Sequence, residues 1–186
     1  MSNEVNARVI DERMPQSAAL LANIKRTMAI TAARNGLTFA AAQQIQALLS
    51  QLIGKPVDER FLLIPPFYTA GGDEIRIGKN VFINQACASY DLGGLDITDD
   101  VLIGPSVSII TAGHPLAASR RRAVTTGKPI AIGRNVWVAA GAALIGGITG
   151  CGWDHPAPFR HLRPIDARCC AGGAHLSAAP SSVPIP

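Results

Sequence analysis

The residue of this chain best suited to chemistry is His114, in the segment TAGHP. An imidazole titrates near neutral pH and can take a proton from a hydroxyl group, so His114 is a candidate general base. The other histidines, His155, His161 and His175, lie in an irregular C-terminal stretch. Because a lone histidine is more often structural than catalytic, the residue type alone leaves this assignment open.

Cysteine and arginine offer other kinds of chemistry, and the sequence favours neither. The four cysteines, Cys87, Cys151, Cys169 and Cys170, form no CxxC pair and have no ligand-like spacing to histidine. We interpret Cys87 as a small buried hydrophobic residue. The arginines at 120–122 form the one tight basic cluster of a chain whose net charge is +4. The cluster is too small for a nucleic-acid surface and indicates a solvated loop or, as a second interpretation, an anion site.

The elements that must position these residues show a six-residue period between about 75 and 149. An isoleucine, valine or leucine recurs every six residues in three runs that begin at Ile77, Ile97 and Ile132. Gly, Asn or Asp stands near each aliphatic residue and suits a corner, because these residues tolerate left-handed backbone. A six-residue period fits neither an α-helix nor a simple strand, and it is typical of a stacked β-solenoid.

Two breaks in the period predict segments that leave the coil. The spacing from Ile83 to Ile97 is two residues longer than two repeats and predicts a bulge at about 89–94. A longer insertion predicts a loop at 113–129, which contains His114. Insertions that leave a solenoid commonly carry function, so both breaks are candidate parts of a site.

The flanking segments differ from the coil. Residues 4–53 are rich in Ala, Leu, Gln and Ile and predict helices, so residues 1–60 are expected to form an N-terminal helical cap. The solenoid domain is expected to span 61–149. Residues 150–186 lack the period and are rich in Pro, Ala, Arg, Cys and Ser, which indicates an irregular tail, disordered or read from a shifted frame.

The composition narrows the class of protein. Of 186 residues, 48% are apolar, 16% charged and 5% aromatic, which suits a core of small and β-branched side chains. The N-terminal residues lack an apolar segment of signal-peptide length, and no stretch reaches the roughly 20 apolar residues needed to span a bilayer. We therefore expect a soluble, cytoplasmic protein without membrane or nucleic-acid partners.

Three segments resemble the hexapeptide-repeat sugar O-acetyltransferases, which include the maltose, galactoside and nodulation-factor acetyltransferases. They are INQACASYDLGG, IGPSVSIITAGHP and KPIAIGRNVWVAAGA, and LIGKPVDERFLLIPPFY is similar to the family's segment leading into the first coil. The resemblance covers roughly residues 50–149. It implies a mainly-β fold with a left-handed parallel β-helix, a homotrimer with active sites between subunits, and acetyl-coenzyme A as co-substrate with no metal.

The resemblance also implies roles for five residues. His114 would be the general base that deprotonates a hydroxyl of a sugar or related acceptor. Asn84 and Asp91 would orient acceptor hydroxyls, and Trp137 would line the cleft. The backbone N–H of Ala140 would donate to the thioester oxygen. Plain alternatives are a solenoid turn for Asn84, a solvated loop carboxylate for Asp91 and interface packing for Trp137.

Two other functions stay open at this stage. A zinc hydrase on the same solenoid, like the γ-type carbonic anhydrases, requires three convergent histidines. A catalytically impaired solenoid or binding protein is the second alternative, because the tail replaces the last two coils, which in the resembled family hold coenzyme A.

Overall fold

The described part of the chain begins with one strand and three helical segments. The structure is a computed structural model that describes residues 8–147, 149–150 and 160–162. In chain order it begins with β1 (Arg8–Asp11), α1 (Pro15–Asn35), a 3-10 helix (Phe39–Ala41) and α2 (Ala42–Ile53). The helical prediction for residues 4–53 is wrong at Arg8–Asp11. These residues form a strand because they pair with a distant segment, and such pairing overrides local propensity.

The chain then passes in rotation through three sheets of parallel strands. The first sheet contains β2 (Leu62–Leu63), β5 (Phe82–Ile83), β8 (Leu102–Ile103), β13 (Val136–Val138) and β16 (Arg160–Leu162). The second contains β3 (Phe67–Thr69), β6 (Cys87–Tyr90), β9 (Ser108–Ile110) and β14 (Ala143–Ile145). The third contains β4 (Ile75–Ile77), β7 (Leu95–Ile97), β12 (Ile130–Ile132) and β15 (Thr149–Gly150). Each strand pairs with its counterpart one circuit away, so the same register repeats from circuit to circuit.

The interior is built from the aliphatic residues that the six-residue period marks. The buried repeat positions are Ile83, Ile97, Ile103, Ile109, Ile132, Val138 and Leu144. Ile77 is only partly buried and packs against this core. Cys87 is buried among the same residues, which confirms its interpretation as a small hydrophobic residue. The repeat thus predicts which side chains point inward.

The corners between sheets use backbone in the left-handed region. Asn80, Asp100 and Asn135 have φ values of 53°, 60° and 57°, a region that Asn and Asp tolerate better than most residues. The Asn80 side-chain amide donates to Asp100 Oδ1 over 2.8 Å, which links the corners of two successive circuits. The preference for small polar residues at the corners therefore has a conformational cause.

Both breaks in the period occur between the second and third sheets. Residues 91–94 form a turn between β6 and β7, within the predicted bulge. The predicted loop at 113–129 contains regular structure, which corrects its description as a loop: β10 (Ala112–Gly113), α3 (Ala118–Arg121) and β11 (Val124–Gly127). β11 pairs antiparallel with β10 on one side and with β1 on the other. A small three-stranded sheet therefore stands beside the parallel circuits.

Helix α1 is fastened to the first circuit by buried polar contacts. The guanidinium of Arg34 is fully buried, donates to the Phe67 carbonyl and lies 4.9 Å from the centroid of the Phe67 ring. The Phe67 N–H donates in turn to Asn35 Oδ1 over 3.0 Å. Thr27, also in α1, donates its hydroxyl hydrogen to the carbonyl of Gly71, in the segment that follows β3. These contacts align α1 with the corner that follows β3.

Of the predicted tail, the structure describes Gly150 and residues 160–162. Gly150 belongs to β15, which pairs with β12, and β16 pairs in parallel with β13. Parallel pairing therefore extends past residue 149, and the rest of the tail lies outside the described residues. No helix of the described part of the chain is long and apolar enough to cross a bilayer.

Candidate active site

His114 lies at a cleft of about 380 Å³ between α1, the small antiparallel sheet and the corner between the second and third sheets. Its polar lining residues are Arg8, Gln16, Asn23, Asp73, Glu74, Tyr90, Asp91, His114 and Thr125. The volume lies within the range of small-molecule sites, and polar groups on several walls can fix the orientation of a hydroxylated ligand. The cleft is therefore the candidate active site of the described chain.

One hydrogen bond orients the His114 ring. Its Nδ1 lies 3.0 Å from the carbonyl oxygen of Val124 in β11. A carbonyl oxygen can only accept, so Nδ1 must carry the hydrogen in this contact. In the neutral ring the other nitrogen, Nε2, then keeps its lone pair and can take a proton. This is the tautomer that a general base needs.

Asp91 lies in the wall of the same cleft, and it is buried rather than solvated. Its carboxylate accepts from the N–H groups of Gly72 (2.8 Å) and Glu74 (3.1 Å), and the residue is 1% exposed. The alternative of a solvated loop carboxylate is therefore wrong. Burial raises the pKa of Asp91 above its usual value, while the hydrogen bonds from the backbone oppose that rise. Asp91 thus stabilises the turn at 70–74 by accepting hydrogen bonds from its backbone.

The N-terminal cap holds the same turn from the other side. Arg8 Nη1 lies 2.7 Å from Glu74 Oε1, and the Asn23 amide donates to Asp73 Oδ1 over 2.6 Å. The sequence interpretation missed all four of these residues. The sequence carries one local sign of this corner, the turn-forming pair Gly71-Gly72, but no local pattern links that pair to residues of the cap. Acidic side chains therefore line one wall of the cleft.

The remaining predicted site residues lie elsewhere on the subunit. Asn84 and Ala140 occupy the corner between the first and second sheets, and Trp137 lies on β13 of the first sheet. None of the three lines the His114 cleft. The side-chain oxygen of Asn84 accepts from the Gln85 N–H over 2.8 Å, so it also supports its own corner. The structure therefore places His114 and Asp91 at the same cleft, and it places the other three residues on the first sheet or at the corner that follows it.

The corner at Ala140 combines a backbone N–H group with a close approach of two circuits. Among the described residues, the N–H of Ala140 makes no hydrogen bond. Gly104 lies beneath it, and a Cβ at Gly104 would come within 2.7 Å of the Ala140 nitrogen. Glycine at 104 thus lets two circuits approach closely around this N–H. Trp137, 42% exposed, stands on the outer face nearby in sequence.

The arginine cluster has one member with a defined structural contact. Arg121 donates to the carbonyls of Pro115 (3.4 Å) and Leu116 (2.5 Å), which closes the segment after His114. Arg120 and Arg122 are exposed. Within the described residues, no group of three or more His, Cys, Asp or Glu side chains could hold a metal ion.

Comparison with known proteins gives consistent neighbours. Nodulation protein L of Rhizobium leguminosarum bv. viciae is 37% identical over 110 residues, which are 59% of this chain and 57% of that protein. A maltose O-acetyltransferase from Clostridium difficile 630 has a TM-score of 0.71 at 27% identity, covering 78% of this chain and 76% of that chain. No family model matches. The chain spans little more than half the length of the nodulation protein.

A third neighbour was solved with a ligand. The hexapeptide-repeat-containing acetyltransferase of Vibrio cholerae O1 biovar eltor, complexed with acetyl coenzyme A, is 31% identical to this chain with a TM-score of 0.62. The match covers 75% of this chain and 74% of that chain. The matched share of the chain is thus larger than the part, roughly residues 50–149, that carries the resemblance in the sequence.

Proposed function

The chain belongs to the hexapeptide-repeat acetyltransferase family, and on that premise we propose that it transfers an acetyl group from acetyl-coenzyme A to a hydroxyl of a sugar or related acceptor. The observation that carries the proposal is the orientation of His114, a residue that lines the cleft: its Nδ1 contacts the Val124 carbonyl, which leaves Nε2 as the basic nitrogen. We assign the parallel circuits to a left-handed β-helix, as the resemblance implies.

In the proposed reaction His114 is the general base. Its Nε2 takes the hydroxyl proton as the acceptor oxygen attacks the thioester carbonyl, and it returns that proton to the departing thiolate as the C–S bond breaks. A positioned base of this kind contributes about 10²–10⁴ in rate. No cysteine takes part, because the acceptor oxygen attacks the donor directly.

The acceptor would lie in the cleft beside His114. Asp73 and Glu74 contribute carboxylates and Asn23 and Gln16 contribute amides to the lining of the cleft, while the buried Asp91 holds the 70–74 turn behind it. Carboxylates accept from sugar hydroxyls and amides can donate or accept, so the lining suits a polyhydroxylated ligand. Asn84, from another corner, would add a further contact to the acceptor.

The Ala140 corner suits the thioester end of the donor. Its N–H has no partner among the described residues, and the absence of a side chain at Gly104 keeps the surrounding backbone close-packed. Negative charge develops on the thioester oxygen as the acceptor attacks, and a preformed N–H donor stabilises that charge. Trp137 would form a wall of the same region.

The separation of these residues leads us to propose a homotrimer. His114 and Asp91 occupy one corner of the subunit, while Asn84 and Ala140 occupy another. A cyclic trimer places unlike surfaces of neighbouring subunits together, so one corner can meet the other across each interface. The first sheet presents Leu62 and Trp137 outward, 39% and 42% exposed, which suits burial against a neighbour.

The direct test compares wild type with His114→Ala. Release of free coenzyme A would be followed with a thiol reagent, using acetyl-coenzyme A and a panel of sugars, with water as the blank. We expect the variant to lose at least about 10²-fold in turnover while it stays folded. Equal turnover in the two proteins would exclude the proposed role of His114.

A further inference from the structure

We propose that the N-terminal strand β1 is a positioning element of the active site, because it holds the segment whose carbonyl orients His114. The inference builds on the proposed role of His114 as the base. It assigns a function to residues 8–11, whose composition by itself suggests only part of a helical cap.

The pairing register makes β1 the sheet partner of Val124. β10 pairs with β11 only at Ala112↔Gly127 and Gly113↔Thr126. Val124 lies beyond that short ladder, and its partner in the sheet is Asp11 of β1. The next pair of backbone groups continues the contact, since the Glu12 N–H donates to the Ala123 carbonyl over 2.9 Å. At the residue that contacts His114, the sheet therefore depends on β1.

Strand β1 is itself anchored at both ends. Arg8 forms the ion pair with Glu74 at the rim of the cleft, and it also donates to the Leu92 carbonyl over 3.5 Å. At the other end, the Met14 N–H donates to the Asp11 carbonyl over 3.0 Å and leads the chain into α1. Between these ends, Ile10 is buried, with 5% of its surface exposed. Contacts with both the helical cap and the parallel circuits thus hold the strand in place.

The consequence for His114 follows from the two neutral forms of imidazole. The Val124 carbonyl favours the form with hydrogen on Nδ1, and therefore leaves Nε2 free to accept a proton. If β1 detaches, Val124 loses its ladder partner and its carbonyl is no longer held at one position. The ring would then populate both tautomers and several rotamers, and only part of the population could act as a base.

The matched pair Ile10→Ala and Val9→Ala tests this proposal in the full-length protein. The two positions are neighbours in one strand, but Val9 is 52% exposed while Ile10 is buried. The readout is the ¹⁵N NMR spectrum of the histidine side chains, which distinguishes hydrogen on Nδ1 from hydrogen on Nε2. With four histidines in the chain, the His114 signals are assigned by their loss in His114→Ala.

We expect Nδ1–H to dominate for His114 in wild type and in Val9→Ala, and a mixture of tautomers in Ile10→Ala. In the same variant kcat should fall by about tenfold with smaller changes in KM, because a misplaced base affects the chemical step. Arg8→Gln removes the ion pair with Glu74 and should change the tautomer ratio in the same direction. If Ile10→Ala unfolds, this surface variant provides the test of the role of β1.

The NMR readout does not require activity, so it separates this inference from the proposed function. A His114 tautomer that stays Nδ1–H in every folded β1 variant would overturn the role of β1, whatever the activity. Mixed tautomers in the β1 variants would support the role of β1, even if no acetyl transfer to any sugar is detected.

Discussion

A single methyl group added at Gly104 tests whether the Ala140 N–H is the donor to the thioester oxygen. In Gly104→Ala the new Cβ would come within 2.7 Å of the Ala140 nitrogen and 2.9 Å of the Val138 carbonyl oxygen. Because ordinary contact begins at 3.4 Å, the backbone at Gly104 and the backbone at Ala140 must separate by about 0.7 Å. The substitution alters no polar side chain, and it lies at a different corner of the subunit from the His114 cleft.

The expected loss of activity follows from this displacement. Complete removal of an oxyanion donor lowers kcat by about 10²–10³, and misplacement of a reacting group by about 1 Å can cost 10²-fold. A shift of about 0.7 Å weakens the donor rather than deleting it. We therefore expect kcat to fall by about 10–100-fold, which corresponds to about 1.4–2.7 kcal/mol of transition-state stabilisation.

The assay measures release of coenzyme A at saturating donor and acceptor. Gly36→Ala is the matched control, because its Cβ would meet only the Ala33 and Ala32 carbonyl oxygens, at the ordinary distances of 3.5 and 3.8 Å. Thermal unfolding and light scattering establish that both variants keep the fold and the oligomeric state of wild type. A folded Gly104→Ala protein with kcat within twofold of wild type would refute the assignment of the Ala140 N–H.

Two further predictions concern the shared site and the buried carboxylate. We expect His114→Ala and Asn84→Ala to be inactive when each is expressed alone. Their co-expression should restore about a quarter of wild-type activity, because random trimers of the two subunits keep that share of interfaces intact; no recovery would contradict sites between subunits. Burial raises the pKa of Asp91, so between about pH 4 and the raised value the folded protein binds more protons than the unfolded chain. In urea denaturation, the free energy of unfolding of wild type should therefore fall relative to Asp91→Asn as pH rises through that window; the opposite slope would contradict it.

The interior of the protein could be predicted because it depends on a local repeat. Ile97, Ile103 and Ile109 are all buried at the spacing the period marks. Each of these side chains faces the residue at the equivalent repeat position in the neighbouring circuit, so the same register applies from circuit to circuit. The same rule located the two insertions, because each insertion is a change in the spacing of the repeat.

The composition of the cleft could not be predicted in the same way. Arg8 and Glu74 form an ion pair across 66 residues of sequence, and Asn23 reaches Asp73 across 50. No periodicity connects residues at such distances. Asp91 was assigned to the site by resemblance, but its burial and its contacts to the backbone of the 70–74 turn depend on packing.

By itself the sequence determined the aliphatic ladder, the polar corners and the position of His114 in an insertion, since each is a property of neighbouring residues. Tertiary structure decided which residues share a site. The corner at which a residue lies depends on which two sheets the surrounding strands belong to. His114 and Asp91 therefore lie at one corner, while Asn84 and Ala140 lie at another. It also decided that Arg8–Asp11 is a strand, because β-pairing requires a partner, and that partner is β11.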